Sequence, residues 1–413
     1  MGGALRPCAG EPKPVTQLER IGAALEEAKL DGWLFYDFRM SDPIAYRVLR
    51  VDQNAIATRR WFCFVRSDGS ARALVSAVEP HRLDALAPGQ KIVYRSGAEM
   101  RAGLATILAG SRRIAMNYSP DCAIPYVSRV DGGTLDLVRT TGVEIVSSAD
   151  LIQRFEATLT AAQIESHRRA ARHLRAIVDE SFAEIARAVG TRERPTEHSI
   201  RSFIMSRFAQ RGLFTHDPPI VAVNAHSADP HYAPAPGTSD EIKRGDFVLI
   251  DLWAREPEAE RIYADFTWVG FVGDKIPEAH ARVFAIVADA RDAAVRLIQE
   301  RVASGQAVTG READRAAREV IERPGFGANF VHRTGHSIGR EVHGAGANLD
   351  SLETDDHRRL IENTCFSVEP GIYLEGRFGV RSETDVVIEN GRAIVSEAPA
   401  QTAIVPIIAR FGS

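Results

Sequence analysis

Four carboxylates and one imidazole stand out in the C-terminal half of the chain: Asp251, Asp265, His336, Glu369 and Glu383, each in a run that reads as β-strand. An ionised carboxylate in an apolar segment costs several kcal/mol unless it is paired or coordinates a cation. Something positive must therefore sit among them. Imidazole with oxygen donors suits manganese, cobalt, iron or zinc better than calcium. Two divalent ions sharing bridging carboxylates would use all five groups and balance the four negative charges better than one.

The acids recur with one spacing. Phe247-Val-Leu-Ile-Asp251-Leu-Trp253 and Tyr263-Ala-Asp265-Phe-Thr267-Trp-Val269 are expected as the arms of a hairpin. Thr364-Cys-Phe-Ser-Val-Glu369-Pro-Gly-Ile-Tyr373 and Gly379-Val-Arg381-Ser-Glu383-Thr-Asp385-Val-Val-Ile388 repeat the layout, with 14 positions between the acids in each case (251 to 265, 369 to 383). Strand alternation puts Thr267 on the face of Asp265 and Arg381 on the face of Glu383, as supports for those carboxylates. Between the hairpins, His332, His336 and His343 are spaced by Gly335 and Gly339, which let the backbone pass close to a site. His343 is expected beyond the point where the chain has moved away from His336. No Ser-His-Asp order or reactive-cysteine setting competes with this cluster. His226 and Asp229 read as loop-capping groups.

These residues resemble the pita-bread metallopeptidases, the family of methionine aminopeptidase, aminopeptidase P and prolidase. The likeness covers residues 160 to 413 and is carried by Asp251, Asp265, His332-x-x-Gly335-His336-x-Ile-Gly339, Glu369-Pro-Gly-Ile-Tyr373 and Gly379-Val-Arg381-x-Glu383. It implies that Asp251 binds one metal, that His336 and Glu369 bind the other, and that Asp265 and Glu383 bridge. It also implies a catalytic Glu369 that shuttles a proton, and His231, His332, His343 and Arg381 around the substrate, with His231 or His343 on the developing oxyanion. Relative to the family pattern the Arg255 to Ile262 link looks like a small insertion, Gly344 replaces the acid that follows the second histidine, and Ser337 replaces a glycine.

Stepping along the chain, residues 1–155 alternate helix-like and strand-like pieces: Gln17 to Leu30, Gly32 to Tyr36, Trp61 to Val65, Ala73 to Val75, Lys91 to Tyr94, Arg113 to Met116 and Val143 to Val146. This predicts a small α/β domain, similar to the N-terminal domain of creatinase, prolidase and aminopeptidase P. Residues 156–413 open with the capping box Thr160-Ala-Ala-Gln163 before a long helix. A helix from Thr196 to Gln210 and the first hairpin follow. The scheme then repeats with helices from Pro277 to Ala303 and Arg311 to Glu322 and the second hairpin. The predicted class is α+β: a pseudo-twofold pita-bread domain with a curved antiparallel sheet, helices outside and metals in the concavity.

The chain's 413 residues, 45% of them hydrophobic and 26% charged, with a net charge of −4, suit a two-domain soluble enzyme and leave no basic footprint for nucleic acid. No apolar run has the length of a signal or membrane segment. Cys8, Cys63, Cys122 and Cys365 lack paired spacing, which points to a reducing cytoplasm, and the first dozen residues read as a loose tail. The expected activity is metal-dependent cleavage of Xaa-Pro bonds in small peptides, as an aminopeptidase or dipeptidase, with two divalent ions, manganese foremost, in a homodimer. The alternative keeps the metals and changes the substrate: a small-molecule amide, as in ectoine hydrolase, or a sulfonium compound cleaved by a lyase. A metal-free or creatinase-type member is disfavoured, because every expected ligand is present.

Overall fold

The computed structural model describes residues 16–53, 57–87 and 89–412, so the expected tail and Cys8 lie outside the described residues. Two compact units result, one ending at Leu151 and the other beginning at Ile152.

In the first unit each apolar run of the sequence becomes a strand: β1 (Gly32–Asp37), β2 (Trp61–Arg66), β3 (Ala71–Ser76), β4 (Lys91–Tyr94), β5 (Arg113–Met116) and β6 (Glu144–Ser147). They form one mixed sheet in the order β4-β3-β2-β1-β5-β6. Helices α1 (Gln17–Glu27), α2 (Pro43–Leu49), α3 (Gly97–Leu108) and α4 (Gly132–Arg139) connect and cover it. Leu34, Phe62, Phe64 and Leu74 of the sheet pack with Met100, Leu104 and Ile107 of α3 into a core of their own. The short helix α5 (Ala149–Ile152) ends this stretch.

The long first helix of the second unit starts where the capping box predicts. Thr160 accepts from the Gln163 N–H and Gln163 returns the bond to the Thr160 N–H, satisfying two otherwise orphaned donors of α6 (Ala161–Thr191). Then come α7 (Glu197–Gln210), β7 (Ile220–Val223), β8 (Phe247–Ala254) and β9 (Ala264–Phe271), followed by α8 (Glu278–Ala303) and α9 (Gly310–Glu322). The remaining strands are β10 (Ser337–Ile338), β11 (Thr364–Val368), β12 (Gly371–Leu374), β13 (Phe378–Arg381), β14 (Thr384–Glu389), β15 (Arg392–Val395) and β16 (Val405–Pro406), and α10 (Ile407–Phe411) ends the unit. Two helices followed by antiparallel strands thus occur twice, as the sequence repeat implies.

Alternation along β8 explains which side chains turn inward. Val248, Ile250, Leu252 and Ala254 pack against Leu174, Ile177, Val178 and Phe182 of α6 and Ile204 and Phe208 of α7. Phe247 and Leu249 point the other way, with Asp251 next on their face, toward the strands of the second half. In β9, Ala264, Phe266 and Trp268 join the helix side, which turns Asp265 and Thr267 inward.

The first hairpin is continuous, with Asp251 opposite Thr267 and Trp253 opposite Asp265. The second is not a single hairpin. β11 pairs with β14, whereas β12 pairs with β13 in a separate two-stranded ladder. Glu369 and Glu383 therefore stand at the breaks between ladders, and His336 precedes the two-residue strand β10. Pro370 has no N–H to donate, and the Glu369 N–H leaves the ladder for the Thr334 carbonyl at 2.7 Å.

Candidate metal centre and substrate face

The four acids and the histidine come together. Asp265, His336 and Glu383 each place one donor atom within 4.8 Å of the others'. His336 Nε2 is 3.6 Å from Asp265 Oδ2 and 3.3 Å from Glu369 Oε1. Asp251 lies on the same face of the first hairpin, diagonal to Asp265, and is ion-paired through Oδ2 with Arg381.

Whether these residues suit divalent cations is decided by their oxygens. Asp251 Oδ1, Asp265 Oδ1 and Glu383 Oε1 are all buried and accept no hydrogen bond from the described residues. Buried acceptors without donors are costly, and three of them beside a neutral imidazole form a donor set that hard-to-borderline cations complete. Electrostatics agrees. Burial first, then the charges of Asp251 and Glu369, push Asp265 well above the usual carboxylate range. Glu383 is raised in the same way by burial and by Asp265. Asp251 is also raised, mainly by burial, against the pull of Arg381. Burial works against ionisation at Glu369 too, but His336, His332 and Arg381 outweigh it and lower its pKa. The residues fit divalent cations.

The supports differ from those expected. Arg381 does not lie on Glu383. Its Nη2 reaches Asp251, its Nε donates to Thr267 Oγ1 at 2.9 Å, and Thr267 donates in turn to Glu383 at 2.7 Å. The break at Ser382 cancels the simple alternation and Thr267 carries the link. Ser367 accepts from the His336 N–H at 3.0 Å and donates to Glu369 at 3.1 Å. Asp385 accepts from the Asp265 N–H at 2.9 Å.

Of the residues expected around the substrate, His332, His343 and Arg381 adjoin the cluster or its partners. His332 pairs its Nε2 with the Tyr373 hydroxyl at 2.7 Å, and Arg381 Nη1 donates to the same hydroxyl at 3.0 Å. Burial holds the His332 pKa down at about 4. His231 is exposed on the loop after β7, with its backbone N–H on Asp229 at 3.0 Å. His343 has not moved away from the ligand position. Its ring meets that of His336 edge-on, with centroids 4.4 Å apart. The turn beyond Gly339 folds back because the Gly344 N–H donates to Ser337 O at 2.6 Å and the Gly346 N–H to Ser337 Oγ at 3.0 Å.

Three polar residues had no role in the sequence reading. Tyr373 and Asp385 sat in named strand runs, and their signal was a polar group in an apolar segment. Glu197 showed nothing beyond a place at a helix start. It is fully buried, and it pairs with His226, whose expected role was a loop cap.

A family model, metallopeptidase family M24, matches residues 165–390. Among curated proteins, the probable dipeptidase PepE of Mycobacterium tuberculosis is 29% identical over 277 residues, 66% of this chain and 67% of the relative. The Xaa-Pro dipeptidase of Pyrococcus furiosus is 32% identical over 203 residues, 49% of this chain and 53% of the relative. Among solved structures, dipeptidase PepE from Mycobacterium ulcerans superposes with a TM-score of 0.67 at 24% identity, covering 94% of this chain and 97% of that one.

Proposed function

The chain belongs to metallopeptidase family M24, in its prolidase-type pita-bread branch, and from that premise we propose that it is a dinuclear Xaa-Pro dipeptidase. The observation that carries the reading is the convergence of three orphaned carboxylate oxygens, from Asp251, Asp265 and Glu383, with His336. The dipeptidase names of the relatives support the choice of a small peptide substrate.

In this reading Asp251 would hold one ion and His336 and Glu369 the other, with Asp265 and Glu383 serving both. When bound, the ions supply an acidified water near neutral pH and a Lewis acid for the scissile carbonyl. Glu369, its pKa lowered with Arg381 as a charged neighbour, stays ionised, so it could take a proton from the attacking water and hand it to the leaving amine. His231 and His343 donate to the developing oxyanion. His332, Tyr373 and Arg381, joined through one hydroxyl, orient the substrate. Manganese leads the candidate metals, with cobalt, zinc and iron behind. A creatinase-type N-terminal domain, a homodimer and a cytoplasmic location belong to the same proposal. In support, Cys63, Cys122 and Cys365 are free thiols, and no helix among the described residues is long and apolar enough to cross a membrane.

A second reading, a small amide or sulfonium substrate on the same metals, is favoured by one feature. A side chain at Gly344 would place its Cβ 2.8 Å from Ser337 Oγ, so an acid at position 344 would have to displace the serine hydroxyl that here takes the Gly346 N–H. Purified protein with added manganese, cobalt or zinc is expected to hydrolyse Xaa-Pro dipeptides. Turnover of a small amide or sulfonium compound, with none of Xaa-Pro dipeptides or longer Xaa-Pro peptides, would replace the first reading by the second.

A further inference from the structure

Outside the metal cluster, the second helix of each half carries a fully buried carboxylate: Glu197 opens α7 and Asp314 lies one turn into α9. Neither is spent on stabilising its own helix alone. A buried charge is tolerated only when donors surround it, and the donors here come from loops.

Glu197 collects the loop between β7 and β8. Its Oε1 accepts from the Val223 N–H at 2.8 Å and pairs with His226 Nδ1 at 2.9 Å. Its Oε2 accepts from the Tyr232 hydroxyl at 2.6 Å and the Asp240 N–H at 2.8 Å. The His226 and Tyr232 rings stack with centroids 4.3 Å apart. Thus one carboxylate ties down residues on both sides of His231, including its immediate neighbour.

Asp314 does the same for the loop before β10. It accepts from the Thr334 N–H at 2.9 Å and the Thr334 hydroxyl at 2.6 Å, and from the N–H and hydroxyl of Ser351. Arg318, one turn on, chelates it at 3.1 Å through two nitrogens. The guanidinium then donates to the Phe330 carbonyl at 3.0 Å and the His332 carbonyl at 2.8 Å. Thr334 in turn accepts the Glu369 N–H, so the anchor reaches both His332 and the segment bearing Glu369.

We infer that Glu197 and Asp314 are paired positioning residues, one per half, that hold the loops carrying His231 and His332 in place without touching metal or substrate. The catalytic consequence rests on the proposed function; the structural anchoring does not. The test uses the full chain loaded with manganese, with Glu197→Gln and Asp314→Asn as variants and an Xaa-Pro dipeptide as substrate. Each variant is expected to keep the parent's metal content and to lose about tenfold or more in kcat with KM within about threefold, the pattern of a transition-state interaction. Amide exchange is expected to speed up locally, in residues 224–240 for Glu197→Gln and in residues 330–335 and 351–354 for Asp314→Asn. Uniform acceleration across the unit, or parent-like exchange in the anchored loop, would overturn the inference. Where an acid variant fails to fold, Tyr232→Phe and Thr334→Val remove one donor each while keeping the acid, and the same localised exchange and fall in kcat are expected. A parent inert toward Xaa-Pro dipeptides, but with localised exchange in the variants, would refute the proposed substrate and leave the anchors standing. Activity with parent-like exchange would do the reverse.

Discussion

Asp265 and Glu383 each keep one buried carboxylate oxygen without a donor, while their other groups are held by Asp385 and Thr267. That division of labour suits a metal ligand, which must be oriented from behind and left open in front. Asp265→Ala and Glu383→Ala are expected to abolish activity and to leave one bound ion or none. Two full equivalents in either purified variant, measured by elemental analysis, would overturn the bridging assignment. His231 and His343 differ in kind. Each is exposed, and His343 meets His336 by its ring edge without being one of the three clustered donors. Replacing either by Ala is expected to leave metal content intact and lower kcat by about 100-fold, the scale for losing an oxyanion donor. A site emptied by either change would make that histidine a ligand, and a rate within about twofold of the parent would remove it from the chemistry.

At the scale of elements, the close approach of the His336 segment to β11 depends on Gly335. A Cβ there would lie 2.0 Å from the Ser367 carbonyl oxygen, a backbone atom that cannot swing aside. Gly335→Ala must therefore part β10 from β11, which also separates His336 from Ser367 and Glu369. A loss of about 2 kcal/mol or more in denaturant unfolding is expected, together with weakened metal binding. A variant matching the parent in both would show that the approach is not needed. Most of these elements were legible in the sequence because local rules govern them. Thr160 and Gln163 mark the start of α6, Thr196 caps α7, and Phe247 to Trp253 alternates as a strand with one helix-facing side. The second hairpin was misread for an equally physical reason. Its apolar run hides the ladder switch at Glu369-Pro370, which depends on a partner, Thr334, far away in sequence. The same holds for Arg381, whose real partner, Asp251, comes from the other half, and for Glu197 and Asp314, whose burial is set by loops that periodicity does not describe.

For the molecule as a whole, the metal centre is a store of charge that the second unit has to accommodate when the ions are removed. Without them, Asp265 and Glu383 have folded-state pKa values raised well above the ordinary range by burial and mutual repulsion. For such groups the folded state binds more protons than the unfolded chain, so stability rises as pH falls and is lost as pH climbs through the raised values. His167 and His332 act in the opposite sense. Burial holds both at about 4, so they oppose acid stability once the unfolded chain's histidines begin to charge, near pH 6.5. Above about pH 7.5 the unfolded chain's histidines are almost wholly neutral, so the buried carboxylates set the trend there. Chelator-treated protein is therefore expected to gain thermal stability as the pH is lowered from about 8.5 to about 7.5. The manganese-loaded protein should lose part of its metal-dependent increment in Tm over the same range, because protons and cations compete for the same oxygens. Scanning calorimetry of both forms at several pH values measures the two trends. A chelated protein whose Tm falls on acidification across that window would show that the carboxylates are relieved by hydrogen bonds and not by cations.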